Sequence, residues 1–294
     1  MEAVAARLRE LGDEFSLEQI AATRELFTSR VARPADVGAV VVRDLAFGPD
    51  PRHRLDVFRP ATARLDLPVV VFVHGGGFVQ GDKGDASSPF YNNFGAWAVS
   101  AGFIGVTLTY RLAPAHPWPA GAADLERAVG WIRQHIGEHG GAPERVVLTG
   151  QSAGATHVAG YLARQGCAAG SSPQVAAAVM FSGMFEFAVT DRHPMYAAYF
   201  GTDYARYPEV STAAALGTTL TPCLFTVSEF DPQLFQRQAA AVVAARAAAT
   251  GRCPELLYLV GHNHVSSVMQ LTAPTDSLGP RLAEFVRRHT GAEC

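Results

Sequence analysis

The run Leu67-Pro68-Val69-Val70-Val71-Phe72-Val73 carries no polar side chain along its length. A strand with one face in water alternates apolar and polar residues, whereas an unbroken apolar run is the mark of a strand buried on both faces. Burial on both faces requires a sheet covered by helices on either side. Further strand-like, largely apolar runs lie at Ile104 to Tyr110, Val146 to Thr149, Val175 to Phe181 and Cys223 to Val227, and Glu255 to Val260 also reads as a strand. Between and after them, Asp124 to Ile136, Ala153 to about Gln165, Gln233 to Thr250 and Pro280 to His289 read as helices. Val37 to Leu45 and Leu55 to Phe58 look like an antiparallel pair at the start. Strand and helix in alternation predict an α/β fold, a mostly parallel sheet with helices on both faces. At 294 residues and 48% hydrophobic content the chain can bury one large core, so a single domain over 1–294 is expected.

Two short helices precede the sheet. Val4, Leu8 and Leu11 fall on one stripe. Ser16-Leu17-Glu18-Gln19 has the form of a capping box, with Phe15 and Ile20 placed as its hydrophobic staple, and the second helix runs to about Ser29. This arm is either packing material or a small lid over a pocket.

Several function classes are excluded by composition. The net charge is −3 and the basic residues are scattered, so there is no stripe for a nucleic acid. No apolar run reaches the ~20 residues of a membrane span. Met1-Glu2-Ala3-Val4 lacks the basic start and apolar core of a signal peptide, which leads to the expectation of a cytoplasmic protein. Cys167, Cys223, Cys253 and Cys294 are widely spaced and read as free thiols. A homodimer is compatible with the sequence, which does not specify oligomeric state.

The chemistry concentrates at the ends of the apolar runs. Gly150-Gln151-Ser152-Ala153-Gly154 follows one strand and opens a helix. Such a G-x-S-x-G turn lifts the serine hydroxyl above the sheet edge. A bare match can also be a packing turn. A serine nucleophile needs a base, a group to orient the base, and donors for an oxyanion. Asp231, in Ser228-Glu229-Phe230-Asp231-Pro232, follows the strand at Cys223–Val227 and is the acid candidate, with Glu229 as the alternative. Asp-Pro also suits an Asx-type cap on the next helix. The base candidates are His262 and His264 in Gly261-His262-Asn263-His264. An H-x-H pair could hold a metal, but no partner ligands accompany it, so no metal is expected. His74-Gly75-Gly76-Gly77 follows the buried run ending at Val73. The N–H groups of Gly75 and Gly76, with that of Ala153, can surround a carbonyl oxygen as charge develops on it. His74 is expected to orient this loop through a ring hydrogen bond. The chain order serine, aspartate, histidine is that of the α/β-hydrolases.

Taken together, HGGGF at 74–78, YRLAPAHPWPA at 110–120, GQSAG at 150–154, EFDP at 229–232 and GHNH at 261–264 resemble the hormone-sensitive-lipase-like group of bacterial esterases. That resemblance implies the α/β-hydrolase fold, with an eight-stranded, mostly parallel sheet and a small helical cap. Residues 1–32 and roughly 185–215 are the expected cap elements. It also implies hydrolysis of a small-molecule carboxylic ester without a cofactor, through Ser152, Asp231 and His264. His264 is favoured over His262 because the group's histidine usually precedes a small or aromatic residue. Short acyl or small aryl esters are the expected substrates, with Phe78, Phe185 and Tyr199 expected to line the pocket. Amide, formamide and lactone hydrolysis would use the same groups, and hormone receptors resembling these esterases bind ligands without catalysis. Two departures stand out: the group usually has an acid where this chain has Gln151, and its histidine element is usually H-G-F. Both lean toward related esterases and arylformamidase-like hydrolases.

Overall fold

The computed structural model describes residues 2–62, 64–187 and 192–292. Helices α1 (Glu2–Leu11) and α2 (Leu17–Thr28) lead into strands β1 (Ala39–Ala46), β2 (Arg54–Pro60) and β3 (Leu67–Val73). Then follow α3 (Asn92–Ser100), β4 (Ile104–Leu108), α4 (Ala120–His135), β5 (Gly141–Gln151), α5 (Ala153–Leu162) and β6 (Ala177–Phe181). Three short helices, α6 (Pro194–Phe200), α7 (Tyr207–Val210) and α8 (Ala213–Thr218), precede β7 (Cys223–Phe230). The chain closes with α9 (Gln233–Thr250), β8 (Glu255–Asn263), α10 (Ser266–Met269) and α11 (Gly279–Thr290). No helix among the described residues is long and apolar enough to cross a membrane.

The eight strands form one sheet in the order β1-β2-β4-β3-β5-β6-β7-β8. β1 pairs antiparallel with β2, and β2 with β4; every other pairing is parallel. The unbroken apolar character of β3 has a direct cause. Val69, Val71 and Val73 enter the core on one face, with α4 and α5, while Val70 and Phe72 enter the other, with α3 and α11. Fully burying each such side chain contributes about 1.5–3 kcal/mol. α3 escapes the periodicity expected of a surface helix because all but its last residue are buried.

Topology decides where chemistry can happen. After β3 the chain moves outward to β4, then returns past β3 to β5 on its other side. The loops leaving the carboxyl ends of β3 and β5 therefore diverge and open a crevice. His74 to Phe78 leaves β3 there, and Ser152 leaves β5. β7 and β8 deliver Asp231 and His264 to the same edge.

Candidate active site

Ser152 sits at φ 54°, ψ −120°, a left-handed conformation rare for a residue with a side chain. Such a conformation costs on the order of 1–3 kcal/mol and persists only where the surroundings enforce it. Here its N–H donates to Phe181 O (2.9 Å) and its carbonyl accepts from Thr156 N (3.1 Å). The flanking glycines are steric necessities. A Cβ at Gly154 would lie 2.2 Å from Val73 O, so β3 could not approach the start of α5.

Asp231 follows β7 with its side chain fully buried. Its Oδ1 lies 2.6 Å from His264 Nδ1. Its Oδ2 accepts from Ser182 Oγ (2.7 Å) and from Ser228 N (2.6 Å). The Asx-cap alternative does not hold: α9 takes Pro232 as its N-cap, without a side-chain capping bond. Glu229 instead accepts from Gly261 N at 2.7 Å. Ser182 was not legible as a site residue because it lacks a nucleophile-turn context. Its one signal was its place directly after the strand β6, on the same sheet edge, where it too has a positive φ of 47°.

His264 lies at the end of β8, 1% exposed. Phe235 packs against its ring at 4.0 Å and Phe15 meets it edge-on at 4.7 Å between centroids. Its buried Nε2 makes no hydrogen bond, Ser152 Oγ included. The two histidines of the H-x-H pair part company. His262 Nδ1 faces Ser266 Oγ (3.1 Å) and its Nε2 faces Ser277 Oγ (3.3 Å), and burial pushes its pKa down to about 4. Between them, Asn263 donates to Thr23 Oγ1 of α2 (2.9 Å) and accepts from Ser266 N (3.0 Å), tying this loop to the N-terminal arm.

The glycine loop approaches the serine closely: a Cβ on Gly75 would lie 3.2 Å from both Ser152 Cβ and Gln151 O. Gly76, at φ 126°, would place a Cβ 2.1 Å from Gln80 O. Among the described residues, the amides of Gly75, Gly76 and Ala153 serve no turn, loop or cap hydrogen bond. His74 stacks on Tyr110 at 4.4 Å. Arg52 faces its Nε2 (3.4 Å) and Gly75 O lies 2.6 Å from its Nδ1, so Nδ1 carries the proton. Burial pushes its pKa down to about 3, which keeps the ring neutral.

Ser152, His264 and the glycine loop line one cavity of about 740 Å³. Its apolar wall includes Phe15, Leu17 and Ile20 from the N-terminal arm, with Phe90, Met195 and Met269. The rings expected there stand elsewhere. Phe78 and Tyr199 stack on each other at 4.6 Å, nearly parallel and buried, and Phe185 packs on Phe225. None of the three lines the cavity. They fill space beneath the loops, where an apolar ring is driven out of water by neighbouring core surface. Phe15 shows the converse. Ser16 does cap α2 through Gln19 N (3.1 Å), but Gln19 turns its own side chain to Gly12 O (2.6 Å). Phe15, expected as half of a staple, lies edge-on against the ring of His264. Residues 188–191 of the expected second cap segment, and Cys294, lie outside the described residues.

Fold and topology are those of an α/β-hydrolase. The BD-FAE family model matches residues 55–221, more than half of the chain, and the chain belongs to that family. Carboxylesterase NlhH of Mycobacterium tuberculosis is 44% identical over 98 residues, covering 33% of this chain and 30% of that protein. The para-nitrobenzyl esterase of Bacillus subtilis is 32% identical over 142 residues, 45% of this chain and 28% of its own. The chain thus spans less than a third of the length of these two curated relatives. Among solved structures, esterase B from Lactobacillus Rhamnosis has a TM-score of 0.73 at 18% identity, over 99% of both chains. An esterase from the bacterial hormone-sensitive lipase family has a TM-score of 0.69 at 23% identity, over 99% of this chain and 98% of that one.

Proposed function

We propose that this protein is a serine esterase acting on carboxylic esters with short acyl or small aryl groups. The observation that carries the reading is the buried 2.6 Å contact between Asp231 and His264, beside a cavity that Ser152 enters from a strained turn. The carboxylate accepts a hydrogen bond from Nδ1–H, which fixes the tautomer with the lone pair on Nε2. That nitrogen takes the proton of Ser152 as its Oγ attacks the ester carbonyl. Negative charge then develops on the carbonyl oxygen, and the free amides of Gly75, Gly76 and Ala153 stabilise it. As the tetrahedral adduct collapses, Nε2 returns the proton to the leaving alcohol, and an acyl-Ser152 remains. Water then attacks the acyl group as His264 Nε2 takes its proton, and on collapse Nε2 returns that proton to Ser152 Oγ as the acid departs. The Nε2–Oγ hydrogen bond, not made in the unliganded site, forms on substrate binding, since catalytic hydrogen bonds are often completed only in the substrate complex.

The chain works as one domain in this reading, with α1, α2 and the segment from His193 onward as its cap. Phe15, Leu17, Ile20, His193 and Met195 border the cavity from those two sides. The BD-FAE membership and the likeness to NlhH and the para-nitrobenzyl esterase support ester hydrolysis in particular. Covalent labelling by a fluorophosphonate is the direct test: labelling of the wild type and its loss in Ser152→Ala are expected, and an unlabelled, folded wild type refutes the proposal. Rates on p-nitrophenyl esters should fall from acetate to palmitate; a rise would overturn the chain-length assignment.

A further inference from the structure

We infer that Gln151 is a positioning residue for His264, holding the base from its backbone side while Asp231 holds it from the ring side. The inference rests on the triad proposed above. Gln151 is the last residue of β5 and is 2% exposed. Its Nε2 donates to the main-chain oxygen of His264 at 2.9 Å, in a buried contact. β5 and β8 are not neighbours in the sheet, since β6 and β7 lie between them. This bond is therefore a direct strap between the nucleophile turn and the base loop.

The strap closes a ring of contacts. Ser152 N donates to Phe181 O, the adjacent Ser182 Oγ donates to Asp231, Asp231 meets His264, and His264 O accepts from Gln151, which is peptide-bonded to Ser152. With Nδ1 and the carbonyl both fixed, the imidazole has little freedom left, and Nε2 keeps its direction. Orientation of this kind is worth large factors in rate, since misplacement by about 1 Å costs on the order of 100-fold.

The side-chain type matters. A carbonyl oxygen needs a donor, and the amide of Gln151 provides one; an ionised carboxylate is acceptor-only. An acid at position 151 would place acceptor against acceptor beside the base. Among the described residues, the charged and titratable groups near His264 are Asp231 at its ring, His262 on the same loop and, around the cavity, His74, Tyr91, Arg24, Asp82, Asp85 and His193. A carboxylate at 151 would be a further negative charge among them.

The test uses full-length Gln151→Met, an unbranched side chain without a donor, and Gln151→Glu. Active sites are counted by fluorophosphonate labelling, so misfolded protein drops out of kcat. Both variants should lose about tenfold or more in kcat on p-nitrophenyl acetate, with KM within about twofold of wild type. Gln151→Glu should also move the acid limb of kcat/KM to higher pH, as an added negative charge favours the imidazolium. Wild-type kcat in both variants, or a loss carried by KM alone, overturns the inference and leaves the triad standing. Full activity in Ser152→Ala would instead remove the reading beneath it.

Discussion

Asp231→Asn isolates the orienting role of the carboxylate, because the new side chain keeps the size of the old one and changes only its hydrogen-bonding character. In the native site three donors converge on the carboxylate: His264 Nδ1–H on Oδ1, and Ser182 Oγ–H with Ser228 N–H on Oδ2. An amide has a single acceptor oxygen, so one side must now meet an NH2 group. Ser228 N–H is backbone and cannot reverse its polarity, and at 2.6 Å it cannot tolerate an opposing donor. The amide oxygen therefore takes the Oδ2 position and the NH2 turns to His264. His264 must then accept at Nδ1, which moves its proton to Nε2, the atom that should deprotonate Ser152. The equivalent change of tautomer in serine proteases costs about 10,000-fold in kcat, or roughly 5 kcal/mol of transition-state stabilisation. A loss of about 1,000- to 10,000-fold in kcat is expected here, with little change in KM and native-like unfolding. Steady-state hydrolysis of p-nitrophenyl acetate against a Ser152→Ala background measures it. Retention of more than about a tenth of wild-type kcat would refute the tautomer argument, and with it the assignment of Asp231.

Three further outcomes follow from burial and charge. His262→Ala should keep kcat within about tenfold, whereas His264→Ala should lose several orders of magnitude, because only His264 contacts Asp231; equal losses in a rate comparison would count against the assignment. His74 and His157, each pushed by burial to about 3, and His262, pushed to about 4, sit well below the ordinary 6.5. Between pH 6.5 and 4 the unfolded chain binds protons that the folded chain refuses, so stability falls as pH falls through that window. Each histidine contributes up to about 1.4 kcal/mol per pH unit, and the raised carboxyl of buried Asp276 opposes them only in part. Urea titrations at about pH 7, 6 and 5 measure the slope, and a flat profile would contradict it. Asp56, fully buried, is held by Arg43 (2.7 Å) and Lys83 (2.8 Å), and Lys83 is itself only 7% exposed. Asp56→Ala removes one partner of each cation, while Lys83 keeps Asp44 (2.8 Å) and the part-exposed Arg43 keeps Asn92 (2.9 Å), so it should cost about 1–3 kcal/mol, read from the urea midpoint; a cost below about 0.5 kcal/mol would show the cluster is solvated.

What was legible in the sequence was whatever a local pattern or a chemical necessity dictates. β3 and α9 begin and end where their apolar patterns do, at Leu67–Val73 and Gln233–Thr250. In the first case burial on both faces removes polar residues along the whole strand. Ser152, Asp231 and His264 could be singled out as candidates because ligands and reacting groups on such a sheet gather at the carboxyl ends of strands. The direction of a side chain leaving a loop has no such signature. Phe78 and Phe15 are both aromatic residues close in sequence to chemistry, yet one stacks into the core on Tyr199 and the other lies on the His264 ring. Only the packing of α1, α2 and α6 around them decides which. Ser182 was hidden for a related reason: its role is defined by a partner 49 residues away. Gln151 lies between these cases. Its departure from the usual acid was visible in the sequence, but its meaning depends on which atom of the base loop it faces. That atom is a carbonyl oxygen, so a donor is required there, and the unusual residue follows from the geometry of the strap.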